Sequence, residues 1–307
     1  LAITALIIYL KNFRSEASST IPWRRLSKWA FWGIAAYVLL FALGNRIPMF
    51  LAAYDTAKPF KLMLTMLSIG AIIGGPFYFG LIVVVFGMAW YYAKRAFSEE
   101  CFPSWTGMPA AYYRDAFFIG IGGAGALLGA QTLLQAIAQR WPTPHRAAAA
   151  QFGSNYDAYV PVGAILGASL LHALLYTGMV ALTASFIASQ LRAAWLKALV
   201  FVVATFALMP GNWGSPADFA KQWIAEVVLL AILVFGVRYV MRFNILGCFL
   251  IVGVTALSSG AAELLGQPNQ FYKWNGYGVI FALVLLLGWP LWLWRAGRGD
   301  LIGADPI

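Results

Sequence analysis

The sequence predicts an all-α, polytopic transmembrane helical bundle of about eight full spans plus a truncated first one. Three observations carry that expectation. Hydrophobic residues make up 62% of the 307 residues and charged residues only 10%, with a mean hydropathy of +0.76. A soluble chain carries about 25% charged residues, so too few charges remain to coat a soluble globule, and lipid must solvate much of the surface. Nine apolar stretches, each followed by a hydrophilic turn, fill nearly the whole length, and Lys and Arg gather in every second turn. On a soluble protein a net charge of +10 would suggest a nucleic-acid partner. Here the cations flank apolar runs, so they read as signals of membrane orientation, and no nucleic acid is expected.

A helix needs about 20 residues to cross the hydrocarbon. The first run, residues 1–10, is too short and reads as the end of a truncated span. Since the chain opens on Leu1 inside an apolar run, it is expected to be a fragment or a processed product. That opening has no basic n-region or cleavage site, so no signal peptide is assigned. The remaining runs are 29–44, 62–90, 116–137, 160–191, 194–209, 223–239, 243–265 and 277–294. Of the nine, the third and fifth are long enough to tilt or to extend beyond the membrane, while the second and sixth are short. Trp141-Pro142-Thr143-Pro144 ends the fourth, because proline lacks a donor and restricts the residue before it. Ser215-Pro216-Ala217-Asp218 reads as an N-cap, a proline at the first helical position and an acid in the first turn, so the seventh helix starts at about Pro216. No second domain, internal repeat or low-complexity linker interrupts residues 1–307, which are read as one domain.

Counting cations by side gives the orientation. One set of turns holds Lys11, Arg14, Arg24, Arg25, Lys28, Lys94, Arg95, Arg114, Arg192, Lys197, Arg238, Arg242, Arg295 and Arg298, and the other holds seven, from Arg46 to Lys273. The richer side is cytoplasmic by the positive-inside rule, which puts the C terminus inside. Tryptophans such as Trp23, Trp90, Trp195, Trp274 and Trp292 sit near the span ends as an aromatic belt.

The spans carry few polar side chains, and each has a structural reading beside its functional one. Gly120, Gly122 and Gly125 match a G-x-G-x-x-G spacing, but a dinucleotide fingerprint needs a preceding strand, and this one lies in an apolar helix. Gly125 with Gly129, and Gly163 with Gly167, give the G-x-x-x-G spacing that lets helices approach closely in lipid. His172 is the histidine inside a span, with Tyr176 one turn on and Thr183 on the same face. It either serves a metal, pigment or proton path, or is a neutral imidazole bonded to a neighbouring helix. Glu226 and Glu263 lie in the outer parts of their spans. Asn244, Cys248, Thr255, Ser259 and Glu263 share a sector of about 100° on one helix. That stripe is expected to face protein or a cavity, as a solute path or as interhelical hydrogen bonding. Zinc catalysis needs three protein ligands and bis-histidine haem needs two histidines, and no such cluster is visible. No metal and no cofactor is expected, only bound lipids. Cys101 and Cys248 are too few for a disulfide framework.

Glu99-Glu100, following Lys94-Arg95, resembles the paired glutamates of the CAAX-protease and bacteriocin-processing family of intramembrane peptidases, and the aromatic-ended bundle is similar to its acidobacterial members. That family's pattern continues Glu-Glu-x-x-x-Arg, then Phe-x-x-x-His, then His-x-x-x-Asn or Asp. Here Glu100 is followed by Cys101-Phe102-Pro103-Ser104, His172 is preceded four residues back by Ala168, and Tyr176 stands four residues on, so all three motifs fail. The resemblance implies a degenerate peptidase or an accessory bundle.

The sequence thus points to a non-catalytic, membrane-embedded module of a bacterial inner membrane that anchors or assembles partner subunits or further copies of itself. The alternatives are an intramembrane peptidase of that family, and a small-solute or ion transporter using His172, Glu226 and Glu263.

Overall fold

A computed structural model describes residues 21–44, 59–96, 109–139, 158–191, 193–208, 215–236 and 244–302, and every regular element among them is a helix. The helices are α1 (Trp23–Gly44), α2 (Phe60–Ala96), α3 (Ala110–Gln139), α4 (Pro161–Gln190), α5 (Ala194–Leu208), α6 (Pro216–Phe235), α7 (Ile245–Leu265) and α8 (Gln270–Ile302). The chain is a multi-pass helical membrane protein. By length and composition α2, α3, α4, α7 and α8 can each cross a bilayer, whereas α5 is 15 residues long. The other two carry charge: Arg24, Arg25 and Lys28 on α1, and Asp218, Lys221 and Glu226 on α6. The run 1–10 and the Trp141–Pro144 stop lie outside the described residues.

Each helix begins or ends close to its apolar run, because the flanking turns supply polar groups for backbone that lipid cannot solvate. The helices overrun those runs at both ends where the flanking residues are amphipathic. α1 starts at Trp23 rather than Trp29, and α8 runs from Gln270 past Trp294 to Ile302. α2, with 37 residues, is about 55 Å long at 1.5 Å per residue, well beyond the roughly 30 Å hydrocarbon core. Pro76 lies inside α2 and Pro290 inside α8.

Side-chain contacts fix the directions. At one end Trp23 of α1 meets Gly87 of α2, and Tyr92 of α2 meets Phe186 of α4 at 5.3 Å. At that same end Asn244 of α7 bonds Tyr112 of α3, and Ala110 of α3 lies against Gly297 of α8. At the opposite end Gly44 of α1 lies against Ala164 of α4, Ile165 of α4 against Gly260 of α7, and Leu265 of α7 against Gly276 of α8. A Cβ at Gly44 would fall 2.6 Å from the Ala164 nitrogen, so only glycine permits this approach of two backbones.

Two groups of three helices result, α1/α2/α4 and α3/α7/α8, joined where α4 packs along α7. Ala30, Ile34, Ile82 and Leu171 form the core of the first group. Tyr113, Ala116, Leu246 and Leu250 form one core of the second, and Ile165, Leu257, Ala261, Leu264 and Val279 knit the two together. α4 and α7 are the innermost spans, with 44% and 56% of their apolar windows buried against 11–17% for α2, α3 and α8. α8 packs on both and closes one side of their seam. α5 and α6 form a hairpin beside α3, clasped by Phe206 stacked on Trp223 at 5.7 Å. Phe77 on α2, Val203 on α5 and Phe281 on α8 represent the apolar surface left for acyl chains.

Candidate functional site

The polar side chains of the spans fall into three sets. Those of the first set join helices. Asn244 precedes α7 and is its N-cap: its Oδ1 accepts from the Gly247 N–H at 2.8 Å, and its Nδ2 donates to the Tyr112 carbonyl of α3 at 3.2 Å. The Tyr112 hydroxyl in turn accepts from the Leu246 N–H at 3.4 Å. α4 is capped from outside its own sequence. Val160, at its N-cap, offers no side-chain acceptor, and Asn275 of α8 instead accepts from the Val162 N–H at 3.1 Å. On the hairpin, Trp223 Nε1 donates to the fully buried Thr205 hydroxyl at 3.1 Å. Neither Asn275 nor Thr205 stands out in the sequence. An amide at the head of an apolar span is the only sign of the first, and nothing marks the second.

Side chains of the second set close on their own helix. Thr65, Ser68 and Thr132, all exposed, each donate to the carbonyl four residues back at 2.8 Å. A hydroxyl satisfied this way can face lipid at little cost.

The third set opens outward. His172 and Tyr176 are exposed on α4 with their rings 5.7 Å apart, and Thr183 is exposed two turns further on. The reading of His172 as bonded to a neighbouring helix is thereby corrected: the imidazole is turned away from the bundle, because Leu171, Leu174 and Leu175 take the α1/α2 side of α4. The polar stripe of α7 is likewise only partly internal. Asn244 and Cys248 are buried, with Cys248 beside Thr177 of α4; Thr255 and Glu263 are half-buried; Ser259 is exposed. Ser259 corrects the expectation that the whole stripe faces other helices. The stripe shares one sector of α7, and Ser259 is the member of it that stands open. Glu226 is half-buried on α6.

The packing glycines agree with the spacing on α4 but not on α3. Gly163 and Gly167 are buried on α4. Gly125 and Gly129 face open space, while Gly120 and Gly123 meet Leu250 and Ile251 of α7, and a Cβ at Gly123 would collide with the Ile251 side chain. α3 is rotated by about half a turn from the orientation that Gly125 and Gly129 imply, because Ala116 and Ala124 share the Gly120 face and let α7 in.

Among the described residues no three His, Cys, Asp or Glu side chains come together in a way that could hold a metal ion. The chain matches no protein-family model, no curated protein and no solved structure. Glu99 and Glu100, which carry the resemblance to the CAAX-protease family, lie outside the described residues.

Proposed function

We propose that this chain is a non-catalytic, membrane-embedded module that anchors or assembles partner subunits, with its basic end on the cytoplasmic side of a bacterial inner membrane and lipid bound around its apolar belt. The observation that carries this reading is the use made of the polar groups in the spans. Asn244, Asn275, Tyr112 and Thr205 are all consumed in holding one helix to another. Side chains spent on interhelical bonds build a rigid scaffold. Orientation follows from charge. Arg24, Arg25, Lys28, Lys94, Arg114 and Arg295 gather at one end of the bundle, whereas Lys61 and Lys273 stand at the other.

Purification of the untagged protein from its native membrane in mild detergent, followed by identification of what travels with it, tests the proposal. A second polypeptide in fixed ratio is the expected result. A chain that elutes alone and moves protons or a solute in proteoliposomes, with the flux lost in Glu263→Gln, would replace the proposal with the transporter alternative.

A further inference from the structure

Helix α1 carries its charge on one side only. Counted at 100° per residue from Arg24, the exposed residues of α1 all fall within one half of its circumference, and Arg24, Arg25 and Lys28 lie inside that half. The other half faces protein: Ala30 and Ile34 belong to the core shared with α2 and α4, and Gly33 lies against Leu174 of α4. Beyond the cations, the open half presents Trp29, Phe31, Trp32, Val38 and Leu39, which are 43–61% exposed. From Lys28 to Leu39 the helix rises about 16 Å at 1.5 Å per residue, the depth of one leaflet of a hydrocarbon core roughly 30 Å thick. One face of one helix thus joins a cationic head to an apolar strip one leaflet deep.

The three cations repel one another. Arg24 and Lys28 stand four residues apart and Arg25 and Lys28 three, the spacings at which like charges destabilise a helix. Among the described residues no carboxylate pairs with them, whereas Arg114, at the same end of the bundle, is held by Asp115 at 2.9 Å. The remaining residues of the sequence cannot make up the difference. Counted turn by turn, the basic side has fourteen Lys and Arg but six carboxylates, Glu16, Glu99, Glu100, Asp115, Asp300 and Asp305, so eight cations are left over even if every carboxylate takes one. The stretch just before α1 sets Lys11 and Arg14 against Glu16, so it adds positive charge instead of removing it.

We propose that this half of α1 binds an anionic phospholipid, with its phosphate on Arg24, Arg25 and Lys28 and its acyl chains along Phe31, Trp32, Val38 and Leu39. Charge complementarity selects the headgroup, and the strip below it selects a ligand that carries chains. A free phosphate would leave the strip unused. A zwitterionic headgroup would bring an ammonium group against three cations. Juxtamembrane cations of this kind are what draw a chain to anionic lipid. The inference rests on the lipid-bound, oriented bundle proposed above, and names the class of lipid and its seat.

The test is native mass spectrometry of the full chain, delipidated in detergent and incubated with phosphatidylglycerol or phosphatidylcholine of identical acyl chains. Phosphatidylglycerol should be retained over phosphatidylcholine by roughly tenfold or more, and the triple variant Arg24→Gln/Arg25→Gln/Lys28→Gln should remove that preference. Lys28→Gln alone should weaken retention about fivefold, and it carries the test where the triple variant fails to fold. Lys61→Gln at the other end and Arg295→Gln on α8 should leave retention within about twofold, since neither side chain belongs to the site. Glycerophosphoglycerol, the headgroup without its chains, should not displace the lipid. Displacement by that free headgroup would overturn the proposal, as would a loss as large in Arg295→Gln as in Lys28→Gln. Equal adducts of the two lipids would remove the site and leave the lipid belt standing. The absence of adducts with either lipid would remove both.

Discussion

Asn244 shows how a residue can be placed in the right stripe for the wrong reason. Its side chain does not face along the span but turns back onto the Gly247 N–H and across to the Tyr112 carbonyl. An N-cap is worth about 0.5–2 kcal/mol and a net hydrogen bond about 1 kcal/mol. Asn244→Ala should therefore cost about 2 kcal/mol in reversible unfolding in mixed micelles. Asn244→Asp keeps the cap acceptor but sets a buried carboxylate oxygen against the Tyr112 carbonyl oxygen, and should cost at least as much. The glycines of α3 give a second comparison at this scale. Gly123→Leu drives a side chain into Ile251 and should cost about 3 kcal/mol or more, in the range of overpacked cores. Gly125→Leu meets open space and should stay within about 0.5 kcal/mol, measured the same way. Spacing cannot separate these two. α3 is apolar and small-residued on several faces, so its rotation is set by what α7 presents, namely Leu250 and Ile251, and not by its own pattern.

At the scale of the element, most of the architecture is legible because a bilayer imposes a length and a polarity on every crossing. The start of α6 is the clearest case. Ser215 is extended, with φ −155° and ψ 161°, its Oγ accepts from the Asp218 N–H at 3.2 Å, and Pro216 follows at the first helical position, all as the local sequence implies. Ser215→Ala should destabilise α6 locally by about 1 kcal/mol, seen as faster amide exchange in its first turn with the exchange of α7 unchanged. Capping of α4 was not legible, since its acceptor, Asn275, lies 113 residues away on α8. The same holds for the outward turn of His172. Periodicity puts Tyr176 and Thr183 on its face, but Ser169, Thr177 and Ser185 give α4 hydroxyls on its buried faces as well, so only its neighbours decide which face stays open.

For the whole molecule, two three-helix groups share a seam where α4 packs along α7. Glu263, half-buried near the end of α7, lies at the margin of that seam. If the stripe serves structure and assembly, Glu263→Gln should leave both intact, because the amide keeps a hydrogen-bonding shape; size-exclusion profile and subunit ratio are the readouts. An intact complex that loses activity would instead assign the carboxyl a proton or ion to carry. The two ends of the bundle differ in charge, and the central claim is that they lie on opposite sides of one membrane. Its most direct test is impermeant maleimide labelling of intact cells, with Cys101 and Cys248 replaced and single cysteines introduced at two exposed positions, Ala111→Cys at the basic end and Gln270→Cys at the other. Position 270 should label in intact cells and position 111 only after lysis. Labelling of 111 but not 270 in intact cells would invert the orientation, and equal labelling of both without lysis would contradict the bundle itself.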